Sequence, residues 1–293
     1  MTILFMESGS DATQGLEWWD GSGGTVTSDS SIKNTGPRSI KFIQTISVVA
    51  LQKLTIASRG SGTLSFYIQL TTTPAANTYF AFLGNSSGWS IGRDTSNRLI
   101  LSEGTTVRGT GTTALDNNVW ALVQISWSWT NSTTNTFKVW LNGVLEINAS
   151  NITMSQGQTS MTMQFTNGNG ANGDATYLDD VYLDDVFNSN YPGDIRVTAK
   201  LPASLNTNNF DTLGGSGTNR YDRVSDRPLS VTNYIQHAAA SDVQENFGLQ
   251  ASSAGDVDIS DKFVVGYCGW VYAKRGAFDT AFVRQIGTVQ TKT

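Results

Sequence analysis

Five aspartates lie between residues 174 and 185, in a stretch that reads NGNGANGDATYLDDVYLDDVF over residues 167–187. Two carboxyl groups at the right separation can act as the general acid and the base or nucleophile of a glycosidase. Carboxylate and amide oxygens together are the ligands that Ca²⁺ prefers. The third interpretation is structural, a strand whose acids are solvated or cap the neighbouring loops. The spacing of the aspartates along a strand tests the first interpretation.

An acid pair does not fit a regular strand over residues 177–187. Successive side chains of a strand point to opposite faces, so Asp179 shares one face with Asp185. Asp180 shares the other face with Asp184. At about 3.3 Å per residue the closer pair is about 13 Å apart, whereas a glycosidase pair is roughly 5 to 9.5 Å apart. The strand therefore supplies no acid pair unless a bulge intervenes, and the five-residue echo YLDDV–YLDDV swaps faces and is expected to have no structural meaning.

Calcium is the only cofactor that the sequence indicates. A glycine-rich loop supplies amide oxygens just before the acids, and loops of this kind can wrap around a hard cation. The candidate calcium ligands are Asn167, Asn169, Asn172, Asp174, Asp179 and Asp180.

The sequence contains few of the residues that other catalytic or metal-binding sites require. The chain has 293 residues with one histidine, His237, and one cysteine, Cys268. A disulfide within the chain is therefore impossible, and His-pair or Cys-based metal sites are disfavoured. The net charge of −5 also argues against wrapping nucleic acid.

Strand patterns run through most of the chain, and segments with helical periodicity are nearly absent. Short runs rich in Val, Ile, Thr and aromatic residues alternate with turn-forming residues every 8 to 12 residues or so, which is typical of a sandwich or barrel. Asn142-Gly143 between two such runs predicts a two-residue hairpin turn. Examples of the runs are TLSFYIQL (63–70), YFAFLG (79–84), WALVQISWSW (120–129) and TFKVWLNG (136–143). The sequence thus predicts an all-β protein.

The composition changes after Phe187, where NSNYPGD introduces proline and glycine. We therefore predict a large β domain over residues 1–187 and a smaller β-rich unit over residues 188–293. The first residues lack the positive n-region of a secretory signal. Apolar runs are too short for a membrane-spanning helix. We therefore expect a protein that is made in a cytoplasm and is not inserted into a membrane.

The segment NNVWALVQISWSWTNSTTNTFKVWLNGVLEI (117–147) resembles the LamG-type concanavalin A-like jelly roll. In that family a tryptophan opens a strand, and after a polar turn the next strand ends in Asn-Gly. LDDVYLDD (178–185) followed by PGDIRVTAKLP (192–202) is similar to an arrangement in structural proteins of tailed bacteriophages. The resemblance implies a concanavalin A-like jelly-roll β-sandwich followed by a smaller β-rich unit.

This resemblance implies a bacteriophage virion protein without enzymatic activity, an exterior capsid decoration or a tail or neck adaptor. Its partners would be other virion proteins and further copies of itself in a homo-oligomer. Glycosidases of this fold resemble one another in a Glu-x-Asp-x-x-Glu strand, which is absent from this sequence. The virion would be assembled in the host cytoplasm, which fits the absence of a signal peptide.

The alternative is a carbohydrate-binding adhesin that contacts host surface glycans, with or without calcium. Lectins of this fold are similar in placing aromatic residues in loops. The candidates for glycan contact are Trp18, Trp19 and Trp89. This alternative predicts aromatic side chains at the surface, beside the NGNGANGD loop.

Overall fold

The computed structural model describes most of the first two thirds of the chain and isolated strands of the last third. The described residues are 3–7, 21–23, 25–35, 38–43, 51–57, 60–84, 88–129, 134–152, 160–167, 174–197, 202–205, 212–213, 235–236, 247–249, 266–275 and 279–288. Within these ranges there is no helix, and hence none that could cross a membrane.

All regular elements of the described residues are β-strands. They are β1 (Ile3–Glu7), β2 (Gly21–Gly23), β3 (Thr25–Asp29), β4 (Ser39–Ile43), β5 (Leu51–Ala57), β6 (Ser61–Leu70), β7 (Thr78–Leu83), β8 (Trp89–Arg93), β9 (Arg98–Glu103), β10 (Thr106–Ala114), β11 (Ala121–Ser128), β12 (Asn135–Leu141), β13 (Val144–Ile152), β14 (Ser160–Thr166), β15 (Ala175–Asp184), β16 (Pro202–Leu205), β17 (Thr212–Leu213), β18 (Ile235–Gln236), β19 (Phe247–Leu249), β20 (Gly266–Arg275) and β21 (Asp279–Thr288). The prediction of an all-β protein is confirmed.

Two large antiparallel sheets form a sandwich. The eight-stranded sheet has the order β13-β12-β11-β6-β15-β4-β3, and β1 also pairs with β15. The seven-stranded sheet has the order β10-β9-β8-β7-β14-β5-β2. Strands distant in sequence are neighbours in both sheets, as in a jelly roll. The strands of the last third form three separate two-stranded pairs, β16-β19, β17-β18 and β20-β21.

The core lies between the two sheets and follows the alternation of the sequence. On β6 the even-numbered residues, Leu64 to Leu70, face the core, while Thr63, Ser65 and the other odd-numbered residues face outward. The largest core side chains are aromatic, and they meet at edge-to-face or tilted angles that suit aromatic rings. Trp89, for example, has its ring centroid 5.6 Å from those of both Trp127 and Phe137.

The hairpin turn at Asn142-Gly143 forms as predicted. Both residues have positive φ angles, 48° and 86°, as the turn requires. The turn also connects to β11, because Asn142 Oδ1 accepts a hydrogen bond from Leu122 N at 2.8 Å.

Gly92 on β8 is a close-approach position that fixes the join between β7 and β8. A Cβ atom there would lie 1.8 Å from Thr78 O and 2.8 Å from Tyr79 Cα, both backbone atoms. We predict that Gly92→Ala lowers the free energy of unfolding in urea by about 1–3 kcal/mol, because the backbone of β7 must move. Gly60→Ala is the control, because its Cβ would lie 3.2 Å from the nearest heavy atom, Trp129 O. Equal stability of the two variants would contradict this packing.

Candidate functional site

The aspartate-rich strand β15 contains a β-bulge at Asp179 and Asp180. Its register with β6 passes from the pair Asp179–Tyr67 to the pair Tyr182–Ser65, so β15 has one residue more than β6 over this interval. Asp180 has a φ angle of 50°, a left-handed conformation that aspartate tolerates better than most residues. The opposite edge of β15 changes partner at the same point. Residues 175–178 pair with β4, and residues 181–184 pair with β1.

The bulge corrects the expected arrangement of the repeated YLDDV. A regular strand would place Tyr177 and Tyr182 on opposite faces, but both lie on the outward face of the eight-stranded sheet, opposite Gln69 and Ser65. Because the bulge adds one residue to β15, the five residue steps from Tyr177 to Tyr182 span only four residue steps of β6. An even number of strand positions returns the side chain to the same face. The prediction that the repeat has no structural meaning is therefore wrong.

Asp179 is completely buried, at 0% exposure, and accepts hydrogen bonds from three backbone N–H groups. Its Oδ2 atom accepts from Asn34 N at 3.0 Å and Thr35 N at 3.1 Å, and Oδ1 accepts from Asp180 N at 2.9 Å. The side chain thus satisfies the backbone of the loop between β3 and β4, which lies far away in sequence.

Asp180 is buried to the same extent and holds two segments together. Its carboxylate accepts from Thr35 Oγ1 at 2.8 Å and from Asn34 Nδ2 at 3.2 Å, in the loop between β3 and β4. Beyond the end of β15, Val197 N donates to Asp180 Oδ1 at 2.9 Å and Arg196 forms an ion pair with Oδ2 at 3.5 Å.

The calcium prediction for Asp179 and Asp180 is corrected by these contacts. N–H and O–H donors already occupy their carboxylate oxygens, so a cation would have to displace them. Asp174 is partly buried and accepts a hydrogen bond from Thr72 Oγ1 at 2.8 Å, and Asn167 is buried at the end of β14. In the described ranges no group of three or more His, Cys, Asp or Glu residues could hold a metal ion. The candidates Asn169 and Asn172 lie outside the described residues.

The segment after β15, residues 185–197, returns across the outward face of the eight-stranded sheet as an Ω-loop, here called the strap loop. Its outgoing half crosses β11 and reaches β12. Asn188 N donates to Ser126 Oγ on β11, and Lys138 Nζ on β12 donates to Ser189 O, both at 2.6 Å. The ring of Tyr191 then lies against Gly143, where a Cβ would be 3.4 Å from Tyr191 Cζ.

The returning half of the strap loop crosses the same strands in reverse order. Gln124 Nε2 on β11 donates to Gly193 O at 2.7 Å, and Tyr67 OH on β6 donates to Asp194 Oδ1 at 2.7 Å. The guanidinium of Arg196 lies 3.9 Å from the centroid of the Tyr67 ring. The strap loop thus begins and ends at β15. Residues 188–197, which the sequence assigned to the smaller unit, contact the eight-stranded sheet of the sandwich.

Asp184 holds the start of the strap loop as Asp180 holds its end. Asp184 Oδ1 accepts from Val186 N at 3.0 Å and from Thr63 N at 3.1 Å, while Oδ2 accepts from Tyr182 OH at 3.0 Å. The strap loop and its anchors cover a row of buried polar side chains that would otherwise face solvent. These are Thr63, Ser65, Gln124, Ser126 and Asp184. The structural interpretation of the aspartates, as caps of adjacent loops, is the one that this geometry supports.

The two buried carboxyl groups of the bulge influence each other. Burial, reinforced by the neighbouring Asp180 carboxylate, raises the pKa of Asp179 to about 8. Burial also raises the pKa of Asp180, against the hydrogen bonds from Thr35 and Val197 that lower it. The folded protein therefore binds protons at this site more tightly than the unfolded chain does.

We predict a pH dependence of stability from this pair. A carboxyl with a pKa raised on folding stabilises the fold fully below its unfolded pKa, near 3.8, and loses that contribution as the pH rises through about 8. The free energy of unfolding in urea should fall between about pH 5 and about pH 9. The slope should be smaller in Asp179→Asn, which stays neutral. A level or rising free energy across this window would contradict the assignment.

The outward face of the seven-stranded sheet carries a different arrangement, two partly exposed aromatic rings. Tyr79 on β7 pairs with Gly92 on β8, and its hydroxyl contacts Ser102 Oγ on β9 at 3.1 Å. Because β8 lies between β7 and β9, the Tyr79 side chain must cross β8. Gly92, which has no side chain, leaves the surface below the ring flat.

Phe82 extends this aromatic surface. Its ring centroid is 6.1 Å from that of Tyr79, at an interplanar angle of 58°. Gln164 on β14 pairs with Phe82, and Ser90 on β8 pairs with it on the other side. We call Tyr79, Phe82 and Gln164 the aromatic platform. All three side chains are partly exposed, so they are available to a ligand.

A second bulge explains why the aromatic platform is hidden in the sequence. Regular alternation in YFAFLG would place Phe80 and Phe82 on one face and Tyr79 on the other. The register of β7 with β8 instead shifts between Tyr79 and Ala81, which sends Phe80 into the core and leaves Tyr79 and Phe82 on the same outward face.

Of the predicted glycan contacts, Trp89 is corrected by its position. It is 2% exposed and packs in the core against Trp127 and Phe137, because its position on β8 has the inward phase. Trp18 and Trp19 lie outside the described residues.

No protein-family model matches the chain, and no curated protein matches it. Several solved structures do. An endo-β-1,4-glucuronan lyase from the fungus Trichoderma reesei matches with a TM-score of 0.50 and 16% identity, over 63% of this chain and 96% of that chain. An alginate lyase from Aplysia kurodai matches with a TM-score of 0.49 and 11% identity, over 63% and 99% of the two chains. A carbohydrate esterase from a Shiga toxin-encoding bacteriophage, phi24B, matches with a TM-score of 0.46 and 15% identity, over 62% and 97%.

The similarity to the glucuronan lyase confirms the fold, an all-β jelly-roll sandwich. It also corrects the prediction of a protein without enzymatic activity. The glucuronan lyase has the same fold and is named for its catalysis. The missing Glu-x-Asp-x-x-Glu strand therefore excludes one catalytic arrangement on this fold and not catalysis itself, and the prediction is wrong.

Proposed function

We propose that the protein is a carbohydrate-binding jelly roll that contacts a glycan through the aromatic platform on the outward face of the seven-stranded sheet. The observation that carries this proposal is the Tyr79 side chain lying across β8, with Phe82 beside it and Gln164 at its edge.

The chemistry of the platform suits a sugar. A pyranose ring has an apolar face of C–H groups that stacks on an aromatic ring, and hydroxyl groups at its rim that need hydrogen-bond partners. Tyr79 and Phe82 supply the apolar surface, and the Gln164 amide supplies both a donor and an acceptor. The contact between Tyr79 OH and Ser102 Oγ holds the ring in place before binding, which reduces the entropy lost when a ligand arrives.

Substitution of Tyr79 tests this surface. On a glycan array, Tyr79→Ala should weaken binding of the recognised glycan about tenfold or more, because stacking and the order of Phe82 are both lost. Tyr79→Phe should retain most of the binding, because it keeps the ring. Tyr191→Ala is the matched control, an exposed tyrosine on the opposite sheet. Binding that survives Tyr79→Ala, or that Tyr191→Ala weakens equally, would contradict the proposal.

We further propose that this module is an exterior component of a tailed-phage particle, as capsid decoration or tail or neck adaptor, docked on other virion proteins and present in several copies. Two features support the proposal. LDDVYLDD and PGDIRV resemble phage structural proteins in sequence, and the two segments contact each other in the fold. Asp180 holds Arg196 and Val197, so the resemblance covers one physical unit.

The virion proposal predicts a defined copy number. Quantitative mass spectrometry of purified particles from the phage that encodes this chain should detect the protein at a constant ratio to the major capsid protein. A ratio corresponding to hundreds of copies would indicate capsid decoration, and tens or fewer a tail or neck position. Absence of the protein from particles that remain infectious would contradict the proposal.

A further inference from the structure

The edge strands of the two sheets, β10 and β13, meet at one side of the sandwich. β10 ends the seven-stranded sheet and β13 ends the eight-stranded sheet, so each pairs with a single strand among those that the structure describes. An edge strand presents unpaired backbone N–H and C=O groups, to which another chain can add a strand. Neither the aromatic platform nor the strap loop includes residues of these two strands.

Glu146 lies at a bulge of β13. Its neighbours Leu145 and Ile147 pair with consecutive residues of β12, Trp140 and Val139, so Glu146 is an extra residue in β13. A bulge redirects the side chain of the extra residue. The Ile147 side chain belongs to the core, whereas the Glu146 side chain reaches across to β10.

β10 is also bulged, at the place that the Glu146 side chain reaches. Residues 110 and 114 of β10 pair with residues 100 and 98 of β9, so four steps along β10 match two along β9. Successive N–H groups of a regular strand point to opposite edges, but two successive ones here point to the same atom. Thr112 N and Thr113 N donate to Glu146 Oε2 at 2.6 and 3.0 Å, and Thr112 Oγ1 donates to it at 3.0 Å.

Two glycines of β10 make room for this contact. A Cβ atom on Gly111 would lie 3.0 Å from Glu146 Oε2, and a Cβ atom on Gly109 would collide with Ile147 Cγ2. β13 therefore approaches β10 closely at two alternate positions. Partial burial raises the pKa of Glu146, but the hydrogen bonds from β10 outweigh it and lower that pKa overall. The group is thus a charged carboxylate at neutral pH.

The remainder of β10 suits strand pairing. Apart from its two glycines, every residue of β10 is exposed. The strand reads TVRGTGTTA, and its β-branched threonines favour an extended backbone. Its one charged residue, Arg108, forms an ion pair with Glu103 at 2.7 Å. β10 thus has no net charge that would repel an identical edge, and the charge that blocks it comes from Glu146 on β13.

We propose that β10 is a pairing edge for a second copy of this chain and that Glu146 keeps this edge closed. Two identical edges can pair antiparallel about a two-fold axis, which makes the contact self-complementary. An approaching strand would need the N–H groups of Thr112 and Thr113 that Glu146 occupies, and it would bury the carboxylate charge. The proposal is independent of the glycan-binding function, because the residues of the aromatic platform lie on β7 and β14.

Sedimentation velocity of the full chain tests the proposal. Glu146→Ala should strengthen self-association at least about tenfold relative to the natural sequence, because the two N–H groups become available to a second copy. Glu146→Gln should have a smaller effect, because its amide oxygen can still accept from them. Asp116→Ala is the matched control, which removes the same charge at an exposed position outside β10 and should leave self-association unchanged.

A second substitution tests whether the new association uses β10. Addition of Thr110→Lys to Glu146→Ala should restore the weaker association of the natural sequence, because lysines on two paired edges repel each other. Association of Glu146→Ala equal to that of the natural sequence would overturn the proposal. So would association that persists after Thr110→Lys is added.

Amide hydrogen exchange of the natural sequence tests the closed edge without any substitution. The Thr112 and Thr113 N–H groups should exchange at least about tenfold more slowly than those of an unstructured chain, because both donate to Glu146. Exchange of both at the unstructured rate would overturn the proposal. If Glu146→Ala does not fold, Glu146→Gln and these exchange rates decide the matter.

Discussion

The bulge in β15 is the interaction on which the arrangement of the eight-stranded sheet depends. At that point β15 exchanges one neighbour, β4, for another, β1, and the extra residue leaves two carboxylates buried. A buried carboxylate is tolerated only where donors surround it. Asp179 and Asp180 meet that condition by accepting from the backbone and side chains of the β3–β4 loop and from the end of the strap loop. These hydrogen bonds offset the cost of burying the two side chains. They also connect β15 to the β3–β4 loop and to the end of the strap loop.

The two outward faces of the sandwich consequently differ. The strap loop covers a buried polar row on the eight-stranded sheet, where Gln124 and Tyr67 bind the returning chain instead of a ligand. On the seven-stranded sheet the described residues include the aromatic platform, which is partly exposed. The strap loop thus covers the polar face of the eight-stranded sheet, whereas the aromatic platform of the seven-stranded sheet is accessible. This difference favours ligand binding on the seven-stranded sheet, and our functional proposal follows from it.

Much of the fold could be predicted from the sequence because it depends on local chemistry. Alternation in TLSFYIQL and WALVQISWSW predicts β6 and β11, and Asn142-Gly143 predicts the turn between β12 and β13, because both signals act over a few residues. These two bulges could not be predicted, since a bulge depends on the register between two paired strands and not on the residue pattern of one strand alone. Their effect on the site was large. The bulge in β15 put Tyr177 and Tyr182 on one face, and the bulge in β7 brought Tyr79 and Phe82 together on the outward face of the other sheet.

The central claim is that a glycan binds on the aromatic platform, and the most direct test is a crystal structure of the full chain with an oligosaccharide selected on the array. The account predicts a sugar ring stacked on Tyr79, with a hydroxyl group in hydrogen-bond contact with Gln164. A sugar bound instead on the strap loop, or at the loop end of the sandwich near Asp174, would contradict it.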